Sequence, residues 1–279
     1  MFRRILYPTD FSDVSLQALR ECVVELARLG AGELHLLHVI DITVVDFEAF
    51  ELEEVYKQRI EELGEELGGD GLTVETEVRV GIPFTEIAEY AQEKKIDLIV
   101  IPSVGENIWR RMFMGSTASN LARAAKKPVL ILKYVGEGGN YRPTFGECGE
   151  IFKKPLVAID FSKCSLRVVQ AVKGFEELID ELLLLHSVDY GRVKDIENNI
   201  EIAKRNLEKT LKAFKVKGEA GVFVGTASSA ILGTAIARKA SLVVIGKKGR
   251  SFLKDLILGS TAERVMRDAR IPVLLVPCG

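Results

Sequence analysis

IGKKGRSFLKDLILGST, residues 245–261, has a twin earlier in the chain: IPSVGENIWRRMFMGST, residues 101–117, aligns with it without a gap. Both start at the end of an apolar run, hold a glycine at the fifth position (Gly249 and Gly105) and close on Gly-Ser-Thr. They differ at the second position, where Gly246 faces Pro102. A lysine-rich surface loop and a cradle for phosphates are both consistent with such a stretch.

Self-similarity extends outward from the twin stretches in both directions. ILYPTDFSDVS (5–15) matches LVAIDFSKCS (156–165) around a shared D-F-S, and LHLLHVID (34–41) matches LLLLHSVD (182–189). VGIPFTEIAEYAQEKKIDLIVI (80–101) matches VGTASSAILGTAIARKASLVVI (224–245), and KKPVLILK (126–133) matches RIPVLLVP (270–277). Gly81 to Gly115 and Gly225 to Gly259 each span 34 positions, so the register holds. The chain is a tandem duplication. Between the copies, VGEGGNYRPTFGECGE (135–150) has five glycines, one proline and little apolar periodicity, the composition of a linker. The expected division is domain 1 at 1–134, linker at 135–151 and domain 2 at 152–279.

Each half alternates short apolar runs with longer amphipathic segments. In domain 1 the spacing predicts strands near 3–8, 33–40, 73–80, 96–102 and 128–134, and helices near 13–29, 46–67, 84–94 and 115–125. Runs as uniformly apolar as DLIVI and PVLIL belong to strands buried on both faces, which means a parallel sheet covered by helices. The expected fold class is α/β, two doubly wound five-stranded parallel domains of Rossmann-like type. The charged stretch 48–67 is too short for a coiled coil and is expected to be a solvated amphipathic helix.

Bulk composition fits two globular domains: 279 residues, 47% hydrophobic, 28% charged and a net charge of −2. Nothing in that charge supports a nucleic-acid surface. No signal-peptide pattern or apolar run of membrane-spanning length is present, so the cytoplasm is the expected compartment, with no membrane partner. Cys22, Cys148, Cys164 and Cys278 show no C-x-x-C spacing, and the histidines are His35, His38 and His186. That is poor material for a metal site. Reduced thiols and core imidazoles are expected.

In a doubly wound sheet ligands bind at the carboxyl ends of the strands. There Gly246, Gly249 and Gly259 offer positive φ and close backbone approach to an anion, and the following helix start favours phosphate. Ser260 and Thr261 supply hydroxyls or act as N-caps, and Lys247, Lys248 and Arg250 supply positive charge. Asp10 and Asp160 close the first strands at the same edge. There a carboxylate can accept from ribose hydroxyls; the competing role is capping of the next helix by Asp10 or Ser12.

Taken in order, ILYPTDFS, LLHVID, VGIP and G-x2-G-x9-G-S-T resemble the universal stress protein A family, specifically its ATP-binding branch, over nearly all of both halves. The resemblance implies an adenine nucleotide alpha hydrolase-like fold, with ATP as the ligand and magnesium as its possible companion. It implicates Asp160, Ser187, Gly246, Gly249, Gly259, Ser260 and Thr261 in domain 2. In domain 1 it implicates Asp10, Val39, Gly105, Gly115, Ser116 and Thr117. Domain 1 departs at Pro102, which removes one amide donor, and at Glu106, which places a negative charge where domain 2 has Arg250; Arg110 and Arg111 offset it. Domain 2 has Ser187 in place of valine. The stronger site is expected in domain 2.

With no GxxxxGK[ST] motif and no residues arranged to aim a water, at most slow hydrolysis is expected, with no catalytic residues. The expected function is therefore a nucleotide-binding regulatory module of the stress response, in which ATP orders the glycine loop for an unidentified protein partner. The alternative is an interaction scaffold with a vestigial cleft. In the family, copies pair through their last strands, so an internal pseudo-dimer through PVLILK and PVLLVP is implied, with a homodimer also open. An adenylate-transferring enzyme lacks a visible acid, base or nucleophile pairing.

Overall fold

The computed structural model describes residues 2–30, 32–43, 49–105, 115–188, 196–249 and 258–278. It divides into two compact units, Met1–Pro143 and Thr144–Gly279.

Unit 1 contains the parallel strands β1 (Arg4–Pro8), β2 (Glu33–Asp41), β3 (Thr73–Gly81), β4 (Leu98–Gly105) and β5 (Val129–Glu137), in the spatial order β3-β2-β1-β4-β5. The order reverses between β1 and β4, so the carboxyl ends of these two strands flank the crevice. Helices α1 (Asp13–Ala18) and α2 (Val24–Gly30) are joined by a π-helical stretch, Leu19–Val23, where one helix over 13–29 is expected. The wider turn faces Leu19, Cys22 and Val23 all inward, each fully buried. Helices α3 (Ala49–Leu67), α4 (Pro83–Glu93) and α5 (Ser116–Ala124) complete the unit. Helix α3 buries Ile60 and Leu63 against the sheet and exposes a Glu53–Lys57 ion pair, as expected of a solvated amphipathic layer.

The glycine-rich segment after domain 1 is more structured than its composition predicts. Strand β5 runs on to Glu137, and β6 (Asn140–Pro143) folds back antiparallel to it. Gly136 has φ +140°, and a Cβ there would lie 1.9 Å from the Asn140 carbonyl oxygen. A bare backbone is required at that point.

Unit 2 repeats the order: β7 (Pro155–Ala158), β8 (Leu182–Val188), β9 (Gly218–Val224), β10 (Leu242–Gly246) and β11 (Val273–Val276), arranged β9-β8-β7-β10-β11. Its helices are α6 (Lys163–Lys173), α7 (Ile196–Leu211), α8 (Ala227–Ala237) and α9 (Ser260–Asp268). In both units the central strands are buried on both faces, with Leu6, Ile99, Leu130, Leu242, Val244 and Leu274 fully enclosed. Among the described residues no helix is long and apolar enough to cross a membrane.

The cysteines depart from expectation. Cys164 and Cys278, 114 residues apart in sequence, are joined in a disulfide with Cα atoms 4.6 Å apart, and no cysteine is a free thiol. The topology is the reason: the first turn of α6 and the end of β11 reach the same edge of the sheet, a proximity that sequence spacing cannot reveal.

The three histidines are core imidazoles, and two of them, His38 and His186, share a task. His38 Nδ1 lies 2.8 Å from the Thr9 carbonyl oxygen, and His186 Nδ1 lies 2.6 Å from that of Ile159. Each ring also packs on the phenylalanine of its own D-F-S, with centroids 4.8 Å apart for Phe11 and 4.7 Å for Phe161. Those phenylalanines have φ of 58° and 59°, a left-handed conformation costing about 1–2 kcal/mol. Packing on the imidazole offsets that cost.

Burial pushes the His38 pKa below its ordinary value near 6.5. The unfolded chain therefore binds a proton that the folded one refuses, and stability falls as pH drops below 6.5 until the folded imidazole titrates. Denaturant unfolding between pH 7 and 5 is expected to show a slope of up to about 1.4 kcal/mol per pH unit from this group. His38→Gln is expected to flatten it.

Candidate functional site

In unit 2 the crevice is built on Asp160, the second residue past β7. Its Oδ1 accepts three hydrogen bonds: from the Ser162 N–H at 3.0 Å, the Ser162 hydroxyl at 2.6 Å and the Ser165 hydroxyl at 2.6 Å. Ser165 Oγ in turn accepts from the Asp160 N–H at 3.0 Å. This ring fixes the carboxylate and turns Oδ2 toward Gly249, where a Cβ would stand 3.1 Å from it.

The glycine turn begins where β10 ends. The Lys247 N–H donates to the Val276 carbonyl at 2.8 Å, and the Gly259 N–H donates to the Lys247 carbonyl at 2.8 Å. One backbone bond thus closes the base of the loop. Close approach, not positive φ, is what the glycines provide: Gly246, Gly249 and Gly259 all lie outside the left-handed region. A Cβ at Gly246 would sit 2.6 Å from Cys164 Sγ, and one at Gly259 would sit 3.3 Å from the Lys247 carbonyl oxygen. Gly259 takes the N-cap position of α9 with no side-chain cap, so Ser260 and Thr261 are the first helical residues. The N–H groups of that first turn have no acceptor within the helix. They face a cavity of about 150 Å³ lined by Asp160, Ser187, Gly246, Gly249, Gly259, Ser260 and Thr261. All seven expected residues of this half meet there.

Two lysines, Lys247 and Lys248, belong to the lining of this cavity. Lys247 lines it while only 5% exposed, and burial together with neighbouring Lys248 pushes its ammonium down to about 8. Ser187 also lines the cavity, but its hydroxyl is committed to the Gly225 carbonyl at 2.7 Å, leaving its backbone as the groove-facing feature.

Unit 1 places Asp10, Val39, Gly115, Ser116 and Thr117 around a larger cavity of about 600 Å³. Asp10 Oδ1 accepts from the N–H and hydroxyl of Ser12, which is itself the N-cap of α1. Asp10 therefore braces the cap rather than forming it. Gly105 goes elsewhere. At Pro102 the chain does not turn: β4 continues through Gly105, which pairs with Val135. Gly115, like Gly259, is an N-cap without a side-chain bond. Glu106, Arg110, Arg111 and Arg250 lie outside the described residues.

Three participants were not singled out from sequence. Ser165 closes the Asp160 ring, and the serine that each copy carries five residues after its aspartate, Ser15 and Ser165, is the signal that could have found it. Cys164 lines the cavity of unit 2. Ser103, 2% exposed and lining the cavity of unit 1, has a buried hydroxyl without a hydrogen-bond partner among the described residues.

Gly246→Ala is expected to lose about 1–3 kcal/mol of stability, because its methyl would meet a sulfur already fixed in a disulfide. Thermal unfolding under non-reducing conditions measures it.

Comparison with known proteins follows the same division. The model of the universal stress protein family matches residues 1–133 and again 152–277. Universal stress protein MJ0577 of Methanocaldococcus jannaschii is 33% identical over 156 residues, covering 48% of this chain and 96% of its own. A universal stress protein of Mycolicibacterium smegmatis is 26% identical over 296 residues, covering 98% and 96%. The crystal structure of a universal stress protein from Archaeoglobus fulgidus superposes with a TM-score of 0.78 at 24% identity, covering the whole of both chains, and shares the fold.

Proposed function

Because the chain belongs to the universal stress protein family, we propose that it is a tandem nucleotide-binding regulatory module of the stress response and that unit 2 is its stronger ATP site. The observation that carries this reading is the convergence in one crevice of a helix start without a side-chain cap, a glycine turn and Oδ2 of Asp160, which is turned toward Gly249. Free N–H groups at a helix start and the dipole behind them favour phosphate oxygens. Lys247, buried at the base, adds a cation whose attraction is screened less than that of a surface lysine. The outward oxygen of Asp160 is suited to accept from ribose hydroxyls. A residue with a Cβ at position 249 would fill the space between that oxygen and the turn.

The reading stops at binding. These groups hold and neutralise phosphates, while rapid hydrolysis also requires a residue that aims a water. Unit 1 is the weaker partner because its strand carries Gly105 past the crevice and Pro102 removes an amide donor.

Native mass spectrometry of the full chain, with ATP and magnesium added, tests the proposal. Retention of ATP that Gly249→Arg removes and Gly115→Arg leaves largely intact is expected. Failure to retain ATP at all would leave the interaction scaffold as the better account. The lysine adds a further expectation. Affinity for ATP falls as pH rises through about 8, where Lys247 loses its proton, and Lys247→Met removes that dependence. Calorimetric titration between pH 6.5 and 9.5 measures both.

A further inference from the structure

We propose that the disulfide between Cys164 and Cys278 is a redox latch on the crevice of unit 2. Closed, it holds the glycine turn in its phosphate-ready position; opened by a dithiol reductant, it lets the turn go. The proposal rests on the nucleotide reading of this crevice.

The bond is placed where it controls the turn. Cys164, in the first turn of α6 and 5% exposed, lines the cavity, and its sulfur packs so closely on Gly246 that a Cβ would stand 2.6 Å away. The Cys278 sulfur lies 3.8 Å from the Lys248 carbonyl oxygen. One covalent bond therefore contacts the turn at Gly246 and again at Lys248. The turn is also tied to the strand that leads to Cys278, through the Lys247 N–H and the Val276 carbonyl. Anchoring the end of β11 to α6 thus anchors the turn.

The other unit lacks the device. At the matching positions it has Val14 and Tyr134, both buried, and Pro102 in place of Gly246. Neither of these side chains can form a bond that a reductant opens. The latch coincides with the complete glycine pattern.

The chemistry balances with a dithiol as co-reactant. One reductant thiolate attacks the sulfur of Cys278, the less buried residue of the pair, forming a mixed disulfide and releasing the Cys164 thiolate. The second reductant thiol then displaces Cys278. Two electrons and two protons pass to the protein, the Sγ–Sγ bond is broken, and the reductant leaves as a disulfide. The two unbonded thiols need more room than the bonded pair, and the backbone at Gly246 leaves none on that side. The segment that follows β11 is meanwhile no longer tied to α6. A turn that must be reordered on binding holds its ligand less tightly.

Hydrogen exchange of the ligand-free chain reads the latch directly. The Lys247 and Gly259 amides are expected to exchange about tenfold faster after dithiol treatment and in the Cys164→Ser/Cys278→Ser variant, with ATP affinity falling about tenfold in both. The variant isolates this pair from the other cysteines, and the treated wild type, with its circular dichroism checked, serves if the variant does not fold. The Ser119 amide, bonded to the Gly115 carbonyl in unit 1, is expected to keep its rate. Unchanged exchange at Lys247 and Gly259 overturns the latch, and so does faster exchange with unaltered ATP affinity. Faster exchange with no ATP bound in either state would uphold the release of the turn and sink the nucleotide reading instead.

Discussion

Each crevice begins at one imidazole. The nitrogen that His38 points at the carbonyl of Thr9, and His186 at that of Ile159, fixes the chain where it leaves the first strand. From there the phenylalanine takes its left-handed conformation and the serine two residues past the aspartate starts the next helix. The aspartate sits between these fixed points. Its position at the crevice follows from them and not from any contact with a ligand. Burial keeps His38 neutral, so the link is made by a polar group that carries no charge into the core.

The two crevices share this base and diverge above it for backbone reasons. In unit 1 the neighbouring strand β5 remains available as a pairing partner through Val135, and β4 follows it to Gly105. In unit 2 the neighbouring strand ends at Val276 and runs into Pro277, which has no N–H to offer, and then Cys278, which is bonded to α6. β10 accordingly ends at Gly246, and its chain bends over Asp160. The same alignment position therefore yields a strand in one copy and a turn in the other. The difference lies as much in the adjacent strand as in the substitution of Pro102 for Gly246.

The duplication, the strand positions and the edge of the sheet where the crevice lies were legible because buried parallel strands leave uninterrupted apolar runs and because the halves repeat in register. The glycine pattern marked a turn that lines the cavity of unit 2, where its glycines avoid collisions with Cys164 and Asp160 and none of the three is left-handed. What stayed hidden depends on long-range proximity. A cysteine pair 114 residues apart leaves no local spacing to read. The serine ring around Asp160 went unread, and it is not a cap: Ser162 holds the N-cap position of α6 without a side-chain bond to the helix. The left-handed Phe11 and Phe161 run against every local preference, and long-range packing explains them: each faces a histidine, and Phe11 also meets Tyr56 and Arg59. The glycine-rich segment was the reverse case, since composition typical of linkers also suits a tight hairpin.

That hairpin sets where a free-standing first half would have to stop. Composition shifts near residue 135, but a fragment cut there would sever β5 before Glu137 and discard β6, its antiparallel neighbour. It would also lose the Tyr141 carbonyl that accepts from Gln17 on α1, and Gly136, which forms part of the wall of the larger cavity. The smallest piece retaining the first crevice whole therefore extends to Pro143, some eight residues beyond the point at which the sequence turns glycine-rich.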